Sequence, residues 1–168
     1  MALPREYSSE NCPIARALEV VGERWSLLLL RDAFYGVRRF SDFHAHLRIP
    51  KAVLSQRLSL LVEQGVLTIH DGEYTLTDVG RALWPVLDAL AQWGAQNYQR
   101  PEHRRSWRHA DCDAVVRDGR CTACGARPDV GDLVMVPPRR FAVHRDDPVS
   151  TALRRPRRML EPLRPNAT

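Results

Sequence analysis

Lysine is almost missing from this chain: of 25 basic residues, Lys51 is the single lysine. A bias this uniform points to a GC-rich genome rather than to chemistry, although arginine does suit phosphate recognition. No run approaches the roughly 20 apolar residues that a membrane span needs. The opening MALPREYSSENC lacks the charged start and apolar core of a signal peptide, so a cytoplasmic protein with no membrane partner is expected. There the four cysteines would stay reduced, which excludes a structural disulfide framework and leaves metal binding or redox sensing. There is no P-loop, dinucleotide fingerprint, nucleophile elbow or zinc-protease pattern, and the six histidines mostly lie apart from cysteines and from paired carboxylates. The chain is therefore not expected to be an enzyme.

What is present suffices for one well-buried domain and an appendage: 168 residues, 44 % hydrophobic. The net charge of +5 suits a polyanionic partner but is unevenly divided. Residues 1–100 hold 11 basic and 11 acidic side chains, whereas residues 101–168 hold 14 and 9.

Hydrophobic periodicity predicts a mainly α fold with a small β-hairpin wing. Asn11 can cap a helix with Pro13 in its first turn and Ile14, Ala17, Leu18 and Val21 on one face, ending at Gly22. A second helix from about Glu23 to Tyr35, with Trp25 and Leu27 to Leu30, is apolar enough to be the central one and stops at Gly36. Ser41 can cap a short third helix, and the break from Arg48 to Pro50 supplies a turn. The fourth helix, Lys51 to Gln64, buries Leu54, Leu58, Leu61 and Val62. Its other face shows Lys51, Ser55, Gln56 and Ser59, which is polar, short-chained and free of acidic residues, as close approach to a major groove requires. Val66 to Ile69 and Tyr74 to Leu76 flank the hairpin dipeptide Asp71-Gly72. Thr77 then caps a long helix to about Asn97, which Pro85 could kink. The order is that of a winged helix-turn-helix. The apolar side of the last helix, with Val79, Leu83, Val86, Leu87, Leu90 and Trp93, exceeds what so small a domain needs and predicts a homodimer.

These residues resemble the HxlR family of bacterial winged-helix transcription regulators. The likeness rests on Cys12-Pro13, Leu18, Gly22 with Arg24-Trp25, Gly36 with Arg39-Phe40, Arg57-Leu58 with Leu61, Gly65, and Tyr74, Leu76-Thr77, Gly80 and Leu83, and it spans residues 11 to about 97. It implies a DNA-binding repressor or activator, dimeric through its first and last helices, with Lys51 to Gln64 as recognition helix. Two features depart from the family: the wing is short and lacks lysine and arginine at its tip, and a long C-terminal extension follows. Lys51, Ser55, Gln56 and Ser59 are the expected base and near-base contacts, and Gln56 can pair bidentately with adenine. Arg38, Arg39 and His44 are expected at backbone phosphates, with an intramolecular role the alternative for Arg39. Arg57 lies between the two faces and could equally form a salt bridge.

Cys12 sits in the first turn of a helix, where exposed amides and the helix dipole favour a thiolate. It occupies the place at which several HxlR-type proteins sense oxidants or electrophiles; the alternative is a small apolar residue at the dimer interface. His109-x2-Cys112 and, eight residues on, Cys121-x2-Cys124-Gly125 resemble a short zinc ribbon with a closed, structural site. A redox dithiol at Cys121 and Cys124 or an unmetallated remnant remain as alternatives, and His103 or Asp111 could replace His109. Asp113 stands where such a knuckle usually has glycine.

The expected organisation is an N-terminal arm over 1–10, a winged helix-turn-helix DNA-binding and dimerisation domain over 11–100, a zinc-ribbon-like module over 101–136 with a strand from Asp132 to Val136, and a Pro/Arg-rich tail over 137–168. The tail reads as a mobile solvated segment, with a DNA-binding basic arm the alternative. The function expected is an HxlR-type regulator binding a near-palindromic double-stranded operator as a homodimer, with an oxidant or small molecule as signal. Trp25, Trp84 and Trp93 are candidates to line a pocket for such a molecule, or else core. The rival reading is a winged-helix protein-interaction module that docks partners on the zinc-ribbon-like extension.

Overall fold

A computed structural model of the chain describes residues 11–141 and 145–165; the N-terminal arm lies outside them. Four helices come first, α1 (Pro13–Val21), α2 (Arg24–Phe34), α3 (Phe40–Leu47) and α4 (Lys51–Glu63), followed by the hairpin β1 (Leu67–His70) and β2 (Glu73–Leu76). Asp71 and Gly72, with φ of 50° and 75°, form the two-residue turn that the Asp-Gly pair demands. Its register pairs Leu67 with Leu76 and His70 with Glu73. A bridge from Arg39 to Glu73 ties the segment before α3 to the wing.

Three helix boundaries differ from expectation. Cys12, not Asn11, precedes α1 as its cap residue, and Arg39, not Ser41, precedes α3. The expected helix over 77–97 is two: α5 (Asp78–Arg81), capped by Thr77, and α6 (Trp84–Tyr98). Pro85 has no N–H to donate, so it fits the first turn of a new helix better than the interior of a continuous one.

The extension folds as an antiparallel sheet in the order β5-β4-β3-β6-β7, from β3 (Ser106–His109), β4 (Val115–Arg117), β5 (Arg120–Cys121), β6 (Leu133–Val136) and β7 (Arg157–Arg158). Trp107 on β3 docks it to the winged helix, meeting Trp84 at 5.0 Å between ring centroids and donating from Nε1 to Asp88 on α6 at 3.0 Å. Trp84 also packs on Phe34 of α2. Burial holds the Asp88 carboxyl above its ordinary range, against the hydrogen bonds from Gln92 and Trp107.

The Pro/Arg-rich segment is not a mobile solvated tail over its described residues. A short helix α7 (Pro148–Ala152), capped by Asp147, packs against α3, and β7 joins the sheet. Val149, Leu153, Met159 and Leu163 are buried in the same apolar core as Leu29, Leu30 and Phe34 of α2. Two apolar pairs, Val149 with Leu153 and Met159 with Leu163, each spaced by four residues, seat the segment despite its prolines. Its last turn crosses the end of α2: Leu160 donates its N–H to Phe34 O at 2.9 Å, and Leu163 to Gly36 O at 2.7 Å.

Beneath α3 a buried polar pair links two helices. Asp32 of α2 is fully buried, takes a bond from His46 Nδ1 at 2.6 Å and pairs with Arg31 at 2.7 Å. Burial opposes its charge, but Arg31 and then the His46 hydrogen bond outweigh it and hold the carboxyl below its ordinary range.

Gly36 adopts φ of +86°, and a Cβ there would collide with the Glu161 carbonyl oxygen. At Gly65, φ is +66° but nothing lies within 4 Å of the same position. Gly65→Ala should therefore cost only the left-handed backbone penalty, about 1–2 kcal/mol. Gly36→Ala should cost more, about 3 kcal/mol or above, and should expose residues 157–165 to proteolysis. Thermal melts and limited proteolysis of the two variants check this, and equal losses with an unchanged digestion pattern would reject the close approach.

Candidate nucleic-acid interface and metal centre

The turn between α3 and α4 is tight: Arg48 closes α3 in the left-handed region at φ of 53°, Ile49 is buried, and Pro50 leads into α4. Leu54, Leu58 and Leu61 anchor α4 to the core, so its opposite face is turned outward. Lys51, Ser55, Gln56 and Ser59 are all exposed there, one contiguous surface of a 13-residue helix. The only acidic residue of α4 is Glu63, at its far end. His44 is half-buried on α3.

The arginines sort differently. Arg57 turns inward, with its guanidinium 3.6 Å from Glu23 and its side chain only 19 % exposed. Arg38 donates to Leu160 O at 3.2 Å and faces Glu73 at 3.9 Å. Arg39 meets the same carboxylate at 3.3 Å but stays 58 % exposed. Arg164 reaches it as well, at 3.1 Å. Glu73 thus gathers three guanidiniums at the base of the wing, an arrangement that sequence reasoning missed because Arg164 lies 91 residues away. At the wing tip His70 contacts Asp71 at 3.1 Å.

The extension brings His109, Cys112, Cys121 and Cys124 together, with one ligand atom of each within 4.8 Å of all the others. Cys112 Sγ lies 3.4 Å from His109 Nδ1 and 3.3 Å from Cys121 Sγ, and Cys124 Sγ lies 3.4 Å from the same His109 nitrogen. A tetrahedral centre with bonds of roughly 2.0–2.3 Å has edges of roughly 3.3–3.8 Å, so the donor set fits a four-coordinate metal ion. The two halves are matched knuckles. Asp113 N donates to His109 O at 2.8 Å and Gly125 N to Cys121 O at 3.0 Å, with φ of 53° and 72°. Aspartate tolerates this conformation better than most residues, which is how Asp113 replaces the expected glycine. Arg108 holds its carboxylate at 2.8 Å.

Backbone amides of Cys124 and Ala123 point at Cys121 Sγ and lower its pKa to about 6. An amide at Ala114 acts in the same direction on Cys112, but sharing with the Cys121 thiol pushes Cys112 up. Asp111 faces His109 Nε2 at 3.5 Å, where it can orient the ring from outside the cluster. His103 is elsewhere, bonded to Arg140 O at 2.8 Å. His109 is therefore the nitrogen donor of this group.

Cys12 is exposed at the start of α1. Ile14 and Leu18 on α1 and Val86, Leu90 and Trp93 on α6 are exposed too, Ile14 by 71 %. Trp84 lies in the aromatic core while Trp93 is exposed against Tyr98, so the three expected tryptophans do not line one pocket. Among the described residues, no helix is long and apolar enough to cross a membrane.

Residues 20–102 match the family model for the HxlR-like helix-turn-helix. An uncharacterized HTH-type transcriptional regulator of Mycobacterium tuberculosis is 42 % identical over 137 residues, which cover 73 % of this chain and 82 % of the relative. YvaP of Bacillus subtilis, also an HTH-type transcriptional regulator, is 35 % identical over 52 % of this chain and 90 % of its own. Among solved structures, the candidate transcription factor PA1607 superposes with a TM-score of 0.57 and 36 % identity, covering 82 % of this chain and 96 % of that one. The chain belongs to the HxlR-like helix-turn-helix family and is a transcriptional regulator.

Proposed function

We propose that the chain binds a near-palindromic double-stranded operator as a homodimer, with α4 in the major groove. The observation that carries this reading is the exposed, acid-free face of Lys51, Ser55, Gln56 and Ser59 on a helix anchored from behind by three leucines. Arg39 and His44 flank it and supply phosphate contacts, which set position and not sequence. Arg38 and Arg57, both engaged within the molecule, act by fixing the wing and the start of α2 against α4. The uncovered apolar faces of α1 and α6 support dimerisation through the first and last helices. Two-fold symmetry would then set the recognition helices about 34 Å apart.

Fluorescence anisotropy against DNA from upstream of the gene, with a scrambled control and a salt series, tests this. Tight, salt-steep binding to the native fragment is expected, by a species of twice the chain mass in sedimentation. Gln56→Ala should weaken binding at particular operator bases by about 1–3 kcal/mol. An equal loss on random DNA, or a strict monomer at micromolar concentration, would reject the base-reading role or the dimer respectively.

The metal we assign to His109, Cys112, Cys121 and Cys124 is zinc, in a structural role. Three thiolates and an imidazole are its preferred donors, and four protein ligands leave no open position for hydrolytic chemistry. Zinc would bind the two knuckles together and so hold β3, β4 and β5 in register. About one zinc per chain should be found by elemental analysis of unchelated protein. Chelation should lower the melting temperature; protein free of zinc and indifferent to chelator would overturn the assignment.

Cys12 is the position we assign to oxidant sensing, since it is exposed and caps the start of a helix of the proposed dimer contact. Oxidant-dependent release of DNA should then vanish in Cys12→Ser, and an unchanged response in that variant would end this reading.

A further inference from the structure

Four arginines converge where α2, the turn before β3 and the α7 region meet. Arg31, Arg105, Arg145 and Arg154 line one cavity of about 250 Å³, together with His46 and Ser150. Among the described residues, none that lines it is acidic. Asp32 lies just behind, but its oxygens are already taken by Arg31 at 2.7 Å and His46 at 2.6 Å. Asp147 accepts from Ser150 Oγ at 2.7 Å and from Ser150 N at 2.8 Å, and its charge also acts on His46 and Arg145.

Among the described residues, the remaining guanidiniums make direct contacts only with neutral groups, although Asp32 acts on Arg105 and Asp147 on Arg145 at longer range. Arg105 lies over the Tyr35 ring at 5.1 Å and points Nη1 at Met135 Sδ, a weak acceptor, at 3.1 Å. Arg145 donates to His46 O at 2.8 Å. Arg154 donates to Arg145 O and lies 5.9 Å from the Phe141 ring centre. Each guanidinium carries five donors in a planar fork, so these contacts leave several unused. Burial, helped by the neighbouring Arg31 charge, outweighs the opposing effects of Tyr35 and Asp32 and lowers the Arg105 pKa.

Four guanidiniums around one cavity outnumber the one directly paired carboxylate, Asp32, and an excess of like charge at a partly buried site is costly unless an anion offsets it. We propose that this cavity is a binding site for a small oxyanion, a phosphate or carboxylate group, held in bidentate fashion by guanidinium forks at the seam between the winged helix and the extension. Ser150 adds a hydroxyl to the rim, and Phe141 with Leu153 offers an apolar wall to an organic anion. The volume admits a small molecule and excludes a duplex. Arg31 is on α2 and His46 on α3, so the ligand would touch the helices that carry α4. The site itself requires nothing of the DNA-binding reading.

The test is calorimetric titration of the intact, DNA-free protein with inorganic phosphate and, separately, with benzoate, at constant ionic strength set by chloride. Saturable binding of either probe at one site per chain is expected, with phosphate alone marking an inorganic or phosphoryl ligand and benzoate alone an organic acid. Arg154→Gln, on the outer side of the cavity, should weaken it by about tenfold or more. Arg117→Gln, on exposed β4 away from the cavity, should leave it unchanged. Arg105→Gln repeats the test from the inner wall, with thermal melting to confirm that the variant is folded. No saturable heat with either anion, or equal heats in Arg154→Gln and Arg117→Gln, would overturn the proposal. So would loss of DNA affinity in Arg154→Gln without any anion binding, since that assigns these arginines to the phosphate backbone.

Discussion

The close approach of the C-terminal segment to Gly36 is the constraint on which the arrangement of the winged helix depends. The chain leaves α2 through a left-handed glycine, and that glycine's missing side chain is the space through which the Glu161 carbonyl passes. Backbone bonds from Leu160 to Phe34 and from Leu163 to Gly36 fix the crossing. Here the crossing segment delivers Arg164 to Glu73, and Arg38 reaches back from the wing's inner edge to Leu160 O. The end of α2, the base of the wing and the last turns of the chain are therefore one mechanical unit.

The sheet of the extension belongs to that unit from the other side. β6 pairs with β3, which carries Trp107 and ends at His109, and with β7, which leads into the crossing segment. A metal held by the knuckles would stiffen one end of this sheet, while the Gly36 crossing fixes the other. Trp107 between them packs on Trp84 and bonds Asp88, so α6 is tied to the same frame. The helix that leaves Val86, Leu90 and Trp93 exposed is thus seated on the extension, and in the proposed dimer the spacing of the two α4 helices would depend on a module that lies outside the winged helix.

Much of this was legible in the sequence, for identifiable reasons. Helices with a repeating apolar face, the Asp-Gly hairpin and the two knuckles are encoded by neighbours a few residues apart, and spacing alone reports them. His109 could be separated from His103 and Asp111 only by the structure, because all three lie within reach of Cys112 along the chain. What sequence reasoning misread was of two kinds. Proline at position 85 signals a kink or a helix start equally well, and the core under Trp84 decides for the start. The arginine-rich tail looked solvated because its charges dominate its composition, yet Val149, Leu153, Met159 and Leu163 decide its placement, by contacts more than 100 residues distant from their partners on α2. Asp32 with His46 and Glu73 with three arginines escaped notice for the same reason: each is a pairing across the fold with no local signature.

The positive charge of the C-terminal part also reads differently once its partners are known. A net excess confined to residues 101–168 suggests a basic arm for DNA. Instead Arg158 pairs with Asp132, Arg108 with Asp113 and Arg164 with Glu73, while Arg157 and Arg104 bond the backbone carbonyls of Glu161 and Gln99. Guanidinium groups placed on carbonyls close the ends of strands and turns, and their long stems cover apolar surface. These five arginines of the extension thus serve the fold, so net charge is a poor guide to where DNA lies. The guide is the opposite feature, a helix face with few charges and short polar side chains, because base edges are read by hydrogen bonds at close range and not by field strength. The converging arginines of the cavity differ from both groups: Arg31 pairs with Asp32, but Arg105, Arg145 and Arg154 make no direct ion pair among the described residues, and that imbalance is what distinguishes a ligand site from scaffolding.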